Sequence, residues 1–187
     1  MCLNPLPHGL LNERTFDARN QFENLFSELL NVRLLANHQD SAQTSIAENR
    51  ICSRLQAIAL QHTEQLFALA RHEQFSRHII GTDGSWMGYV ICWEPNAQSS
   101  IHGHPDFAYY QVIEGNFLMD LYNPVSPGVA EHTGSTRLKR VSVVWQQGER
   151  GRYDNLVHRV KTSDEPGFTL HLFSDDPCRG QHFRLSS

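Results

Sequence analysis

Two histidines separated by one glycine, His102-Gly103-His104, are the residues of this sequence most suited to chemistry. On a β-strand, residues two positions apart point to the same face, so both imidazoles are able to reach one ion. Neutral imidazole is a common ligand for zinc, iron and copper. The spacing therefore indicates a metal site carried by a strand.

This spacing is weak evidence when it stands alone. The chain has eleven histidines in 187 residues. At that frequency roughly 0.6 such pairs are expected by chance. The elements that carry the pair, and the residues around it, must decide whether it forms a site.

Two amphipathic helices are predicted in the first part of the chain. Apolar residues recur at three- and four-residue steps over 15–35, and again from Ser45 to about Arg71. Each pattern predicts a helix with one buried stripe. The helices should form an N-terminal layer, which we assign to residues 1–80.

Strands are predicted for the rest of the chain. Gly81 to Gly84 form a turn cluster, and β-branched and aromatic residues follow it between Gly-, Pro- and Asp-containing connections. The predicted strands are 86–93, 99–104, 107–114, 116–122, 141–145, 155–160, 167–174 and 180–185. The segment 123–134, with two prolines and two glycines, is predicted to be a loop. Short strands at this spacing are typical of an antiparallel barrel or sandwich, here over 81–187.

Composition limits the classes of protein that the chain fits. With 40% hydrophobic and 19% charged residues, 187 residues are enough for one compact domain. The net charge of −4, without a basic run, argues against nucleic acid as a partner. No apolar stretch approaches the roughly 20 residues of a membrane-spanning helix, and no leader pattern is visible, so a cytoplasmic protein is expected. The four cysteines lack C-x-x-C spacing and are expected to be reduced.

The surroundings of the histidine pair resemble the two-motif pattern of the cupin superfamily. Cys92-Trp93 ends a predicted strand before the pair, Glu114-Gly115 follows at a predicted hairpin, and His158 stands 54 residues after His104. In cupins the first motif supplies an H-x-H pair and usually a glutamate, and the second motif supplies another histidine. The resemblance implies a mainly β, jelly-roll-like cupin barrel with a short helical N-terminal layer. It also implies His102, His104 and His158 as metal ligands.

The usual cupin glutamate is missing from this sequence. Ala108 and Tyr109 stand at its positions, and neither is suited to be a fourth ligand. In this respect the chain is similar to the cysteine dioxygenase-like (thiol dioxygenase) family, whose iron is held by three histidines alone. The similarity extends over about residues 70–180. It rests on six stretches: Phe75–His78, Ile91–Trp93, Ser99–His104, Ile113–Asn116, His158–Val160 and Leu170–Ser174.

The resemblance implies an iron(II) cofactor and a small thiol substrate that carries a carboxylate. Three neutral ligands leave the charge of the ion uncompensated, which favours an anionic ligand such as a thiolate. Arg77 matches the arginine that binds the substrate carboxylate in this family. The alternative for Arg77 is an ordinary surface or interface residue at a helix terminus.

A second set of candidate residues lies on one predicted strand. Thr169, His171 and Phe173 alternate, so they share a face, and they match the family's Ser-His-Tyr set. Thr169 and His171 are therefore candidate catalytic residues, whereas Phe173 lacks the hydroxyl. If strand parity holds, Tyr110 faces inward and supplies a substrate-binding hydroxyl instead; a bulge would give that place to Tyr109. Barrel packing is the alternative for both tyrosines.

The other histidines and the tryptophans are expected to be structural. Seven histidines show no metal spacing, so surface or capping roles are expected. These are His8, His38, His62, His72, His78, His132 and His182. The three tryptophans, Trp86, Trp93 and Trp145, are expected to lie in the core.

Together these features predict a mononuclear non-heme iron(II) dioxygenase. It would oxidise a small thiol carboxylate, of the cysteine or 3-mercaptopropionate type, to its sulfinate with O₂. Two alternatives stay open because of Phe173: a metal-dependent cupin oxygenase with a non-thiol substrate, and a non-catalytic ligand-binding cupin. The expected partners are a small thiol and O₂, without nucleic acid or membrane, in a monomer or small homo-oligomer.

Overall fold

Strands predominate in the computed structural model, which describes residues 14–36, 44–69 and 75–186. The helices of the described ranges are α1 Arg19–Ala36, α2 Thr44–Gln61 and α3 Thr63–Leu69. The strands are β1 Arg14–Asp17, β2 Ser76–Asp83, β3 Trp86–Trp93, β4 Ile101–His104, β5 Phe107–Glu114, β6 Phe117–Ser126, β7 Val129–Leu138, β8 Val143–Gln147, β9 Asn155–Thr162, β10 Gly167–Phe173 and β11 His182–Leu185.

The strands form two sheets with the order of a jelly roll. Sheet A has the order β1-β2-β3-β10-β5-β8, and sheet B has the order β11-β4-β9-β6-β7, closed by the pairing of β7 with β11. The orders β3-β10-β5-β8 and β4-β9-β6-β7 are those of an eight-stranded double Greek key. The predicted mainly β, jelly-roll-like barrel with a helical N-terminal layer is confirmed.

The helices cover one face of sheet A. Leu25 and Leu29 of α1 and Leu55 of α2 are fully buried in one apolar cluster with Tyr109 and Leu170 of the sheet. Each buried leucine contributes about 2 kcal/mol relative to an exposed one. The other face of sheet A is left to the barrel interior, opposite sheet B.

Both predicted helices differ from the observed ones in their bounds. The first helix begins at Arg19 rather than at residue 15, because Arg14–Asp17 pair in parallel with β2. The carboxylate of Asp17 accepts a hydrogen bond from the backbone N–H of Arg19 at 3.1 Å, which favours a start there. The second predicted helix is divided at His62 into α2 and α3. Tertiary pairing thus overrides helical periodicity at the first helix.

Strand β2 begins before the predicted boundary at residue 80. It runs from Ser76 to Asp83 and pairs antiparallel with β3, with Gly84 in the turn at φ 56°. Arg77 therefore lies within a strand, not ahead of the first strand or at a helix end. A short apolar run such as the one around Ile80 fits a helix or a strand equally well, so periodicity does not locate this boundary.

The predicted loop over 123–134 is wrong, because this segment lies in a β-hairpin. β6 and β7 pair along their length, from Phe117 opposite Leu138 to Ser126 opposite Val129. Between the two strands lies a short turn that includes Gly128, whose φ is 71°. Most side chains at this end of the hairpin are exposed. Strands without a buried face lack the apolar alternation on which strand prediction depends.

Candidate metal centre

Three histidine side chains converge inside the barrel. His102 and His104 lie on β4, and His158 lies on the neighbouring β9 as the register partner of His102. One ring nitrogen of each lies within 4.8 Å of the other two, and Nε2 of His104 is 3.4 Å from Nε2 of His158. Two nitrogens at about 2.0–2.1 Å from a tetrahedral ion are roughly 3.4 Å apart. The cluster therefore has the dimensions of a metal site.

Backbone carbonyls fix two of the three rings. Nδ1 of His102 donates to the carbonyl oxygen of Ser100, and Nδ1 of His158 donates to that of Leu156, each at 2.9 Å. A carbonyl oxygen only accepts, so in both rings Nδ1 carries the hydrogen and Nε2 presents its lone pair. Such hydrogen bonds orient metal-binding histidines and fix their tautomer.

His104 is held in a different way. Its Nδ1 is buried and has no hydrogen-bond partner among the described residues. Its ring stacks on Phe173 of sheet A, with ring centroids 5.2 Å apart and planes 5° from parallel. Aromatic packing, rather than a hydrogen bond, therefore sets the plane of this ring.

Burial keeps the three histidines neutral. Desolvation lowers the pKa of His102 to about 4 and holds the pKa values of His104 and His158 well below 6.5. Neutral imidazole is the form that binds metals. Within the described part of the chain, no acidic side chain belongs to this cluster. The donors fit a divalent transition metal ion, which would keep its full charge.

The glycine between the first two ligands is required by the loop packed against it. A Cβ on Gly103 would lie 2.5 Å from Cα of Asp154 and 2.6 Å from the carbonyl oxygen of Tyr153. The Gly103 N–H donates to the carbonyl oxygen of Gln181 at 2.8 Å. A side chain at this position would displace the loop that leads into β9, and with it His158.

A small cavity borders the three histidines. Its volume is about 140 Å³, which is room for about five water molecules at ~30 Å³ each. Sheet A contributes Arg77, Trp93, Tyr110, His171 and Phe173 to its wall. No Asp or Glu lines the cavity in the ranges that the structure describes. The cavity therefore suits a small ligand, and an anionic one in particular.

Arg77 gives the cavity a positive charge. The side chain is half-buried, and its guanidinium carbon lies 5.9 Å from the ring centroid of Phe75. Burial, and then the charge of Arg77, lower the pKa of His171 to about 3. Burial raises the pKa of Tyr89 to about 12 although the charge of Arg77 opposes that shift. An anion in the cavity would meet this charge directly.

Thr169 and His171 are brought together with Trp93, which the sequence analysis did not place among the site residues. Trp93 donates its Nε1–H to Oγ1 of Thr169 at 2.9 Å, and the same oxygen lies 2.7 Å from Nε2 of His171. His171 borders the cavity, whereas Thr169 is fully buried behind it. The indole of Trp93 thus has a polar contact as well as the core position that was expected.

Tyr110, rather than Tyr109, lines the cavity, in agreement with strand parity. It is the register partner of His171, and the two rings meet edge to face at 4.9 Å and 76°. The Tyr110 hydroxyl is buried without a hydrogen-bond partner among the residues described. Burial raises its pKa far above 10, so it stays protonated. Tyr109 faces the helices, and its hydroxyl donates to Oε1 of Gln111 at 2.6 Å.

Surface or capping roles were expected for His182 and His78, and the structure adds contacts for the first and burial for the second. His182 is exposed, but it pairs with His102 and borders the cavity, with its Nδ1 3.0 Å from the Ser100 hydroxyl. His78 is buried, 2% exposed, against Ser76. The place of His182 depends on the pairing of β11 with β4, two segments distant in the chain, which leaves no local sequence signal. His8, His38 and His72 lie outside the described residues.

The segment after β10 forms the mouth of the cavity. Asp175 anchors it by accepting from the Tyr153 hydroxyl at 2.5 Å and from Arg179 at 2.9 Å. The guanidinium carbon of Arg179 also lies 4.2 Å from the Tyr153 ring centroid. Cys178, at the mouth, is disulfide-bonded, so the expectation of reduced cysteines is wrong at this position. Cys92 is a buried, reduced thiol, and burial raises its pKa.

Comparisons with known proteins find likeness in structure. No family model and no curated protein matches the sequence. A hydroquinone 1,2-dioxygenase, solved with Cd²⁺ and 4-hydroxybenzonitrile, is 13% identical with a TM-score of 0.48, covering 65% of this chain and 75% of its own. A Klebsiella pneumoniae protein with a double-stranded β-helix domain is 15% identical with a TM-score of 0.47, covering 64% and 94%. A cupin superfamily protein from Desulfitobacterium hafniense is 9% identical with a TM-score of 0.42, covering 57% and 83%.

These similarities cover 57–65% of this chain. None of the described helices is long and apolar enough to cross a membrane.

Proposed function

We propose that this protein is a mononuclear non-heme iron(II) thiol dioxygenase that converts a small thiol carboxylate to its sulfinate. The observation that carries the proposal is the cavity of about 140 Å³, which joins three neutral histidines to Arg77. A molecule that bears a thiolate at one end and a carboxylate at the other suits these two ends.

The reaction consumes one thiol and one O₂ and gives one sulfinate and one proton. Both oxygen atoms form bonds to sulfur, which loses four electrons while the two oxygen atoms gain four. His102, His104 and His158 would hold the iron. Once bound, iron(II) supplies open coordination positions and the one-electron chemistry that O₂ requires.

Arg77 fixes the carboxylate end of the substrate. A guanidinium donates two parallel hydrogen bonds to a carboxylate, which sets direction as well as affinity. Because Arg77 lies on sheet A and the histidines lie on sheet B, a substrate that contacts both is held across the cavity. A fixed orientation brings reacting atoms together without the entropic cost of a collision.

His171 and Tyr110 provide hydrogen bonds around the reacting sulfur. The low pKa of His171, about 3, keeps its ring neutral, and the buried Tyr110 hydroxyl stays protonated. The Tyr110 hydroxyl takes the place of the one that Phe173 lacks. Thr169 holds His171 through its hydroxyl.

Oxygen uptake by the iron-loaded full chain tests the proposal. We expect uptake with 3-mercaptopropionate or cysteine, and a sulfinate that carries two labelled atoms when ¹⁸O₂ is supplied. Arg77→Met should raise KM about 100-fold at unchanged iron content, since it removes a charge-assisted pair worth ~3 kcal/mol. Arg137→Met, on the exposed strand β7, is the matched control and should leave KM unchanged. Failure to oxidise any small thiol would refute the proposal, and uptake with a thiol-free acid would favour the non-thiol oxygenase.

A further inference from the structure

The contact between Trp93, Thr169 and His171 determines where His171 carries its hydrogen. We propose that Trp93 is a positioning residue that holds His171 as the Nδ1–H tautomer, so that this ring is a hydrogen-bond donor to the cavity and not a fourth metal ligand. The inference rests on the proposed function only for the identity of the ligand that receives the hydrogen bond.

The indole of Trp93 sets the donor and acceptor roles in these two hydrogen bonds. Trp93 Nε1–H is a donor only, so Oγ1 of Thr169 must accept at 2.9 Å. The threonine hydroxyl has one hydrogen, and among the described residues its other hydrogen-bonding contact is Nε2 of His171 at 2.7 Å. A hydrogen on Nε2 would leave the buried hydroxyl hydrogen without an acceptor there. Nε2 of His171 therefore accepts. In a neutral imidazole with an accepting Nε2, the hydrogen is on Nδ1.

Burial protects this arrangement from water. Thr169 is fully buried, Trp93 is 7% exposed and His171 is 6% exposed. The indole is itself held by edge contacts to Phe75 at 5.4 Å and Phe117 at 5.9 Å. The buried Thr169 hydroxyl keeps one orientation, because turning it away from His171 would leave its hydrogen without an acceptor among the described residues.

The ring atom that faces the cavity distinguishes His171 from the three ligand histidines. All four rings line the same cavity. Carbonyl acceptors at Ser100 and Leu156 leave the Nε2 lone pairs of His102 and His158 for an ion. In His171 the lone pair is used by Thr169, which does not line the cavity, so Nδ1–H is the group left to face it. His102, His158 and His171 thus share the Nδ1–H tautomer. On sheet B it leaves Nε2 to bind an ion, and on sheet A it leaves Nδ1–H as a hydrogen-bond donor.

The tautomer is measurable in the metal-free full chain by long-range ¹H–¹⁵N NMR with labelled histidine. His171→Asn identifies the signal of His171. We expect a pyrrole-type shift at Nδ1 and a pyridine-type shift at Nε2 in the wild-type protein. Trp93→Phe keeps an aromatic ring but removes the N–H, and it should give a mixture of tautomers. Trp86→Phe, whose indole packs on Phe107 at 5.6 Å away from the cavity, is the matched control and should change nothing.

Variants at Thr169 keep the test valid if Trp93→Phe does not fold. Thr169→Ser retains the hydroxyl and should keep the wild-type tautomer, whereas Thr169→Val should lose it. Hydrogen on Nε2 in the wild-type protein, or an unchanged tautomer in both Trp93→Phe and Thr169→Val, would overturn the proposal.

A second readout connects the tautomer with catalysis. Trp93→Phe should lower kcat about 10-fold, as removal of an outer-sphere partner typically does, with iron content unchanged. If the wild-type protein oxidised no thiol while the NMR result held, the proposed function would fail and the positioning role of Trp93 would stand. If activity were present but Trp93→Phe changed neither kcat nor the tautomer, the positioning role would fail alone.

Discussion

Tyr109 and Tyr110 are neighbours in the chain, yet they lie on opposite faces of sheet A in unlike surroundings. On the helix side, Tyr109 is fully buried and its hydroxyl donates to Gln111. On the cavity side, the Tyr110 hydroxyl is equally buried but has no partner among the described residues. A molecule in the cavity is positioned to hydrogen-bond the Tyr110 hydroxyl, whereas the Tyr109 hydroxyl has its partner within the protein.

The same division runs along β10. Leu170 and Leu172 are fully buried beneath the helices, whereas His171 and Phe173 border the cavity. One face of the sheet is complete without a ligand, and the other presents donors, lone pairs and a positive charge. We expect substitutions on the helix face to change stability and those on the cavity face to change binding and turnover.

The largest effect is expected from a metal ligand. His158→Ala should weaken metal binding by more than 100-fold and abolish oxygen uptake, because two histidines remain where three are needed. Metal content and a competition titration measure the change. His62→Ala, on the surface between α2 and α3, is the control. Retention of metal by His158→Ala would contradict the assignment of the site.

A large stability effect with little effect on the site is expected from Leu170→Ala. This leucine is fully buried against the helices, so the cavity it leaves should lower the free energy of unfolding by about 2–5 kcal/mol. Denaturant unfolding measures the loss. Metal affinity at low temperature should be unchanged, and a parallel loss of both would show that the two faces are not independent.

Acid should destabilise the metal-free protein through the cavity face. The pKa of His171 is about 3 in the folded state and that of His102 is about 4, both below an unfolded value near 6.5. Between these values the unfolded chain binds more protons, so stability falls as pH decreases. His171 alone should cost about 2 kcal/mol between pH 7 and pH 5. His171→Asn should flatten the pH dependence of unfolding, and an unchanged slope would contradict it.

The smallest effects are expected from the two tyrosines, and they should be opposite in kind. Tyr109→Phe should cost about 1 kcal/mol of stability, since it removes a buried hydrogen bond, and should leave kcat unchanged. Tyr110→Phe should leave stability unchanged or slightly higher and lower kcat about 10-fold. Unfolding curves and initial rates on both variants test the pair. If the two variants changed stability and kcat by equal amounts, the distinction between the two faces of sheet A would be wrong.

Local patterns in the sequence predict much of the barrel and part of the site. The period of two places His102 and His104 on one face and Tyr110 toward the cavity, because side-chain direction in a strand follows from the backbone alone. The outer part of the β6–β7 hairpin, predicted as a loop over 123–134, was missed because most of its side chains are exposed. Trp93 was assigned only to the core, since an indole hydrogen bond to Thr169 depends on the pairing of β3 with β10.

The register between His102 and His158 has a consequence for folding. These strands meet across more than fifty residues of chain, so their pairing is among the contacts that form late. A slip of one residue would turn His158 to the opposite side of sheet B. Only the native alignment gathers three imidazoles, so a metal ion that binds them stabilises that alignment over every slipped one. The ion would then select the correctly folded chain before it takes part in any reaction.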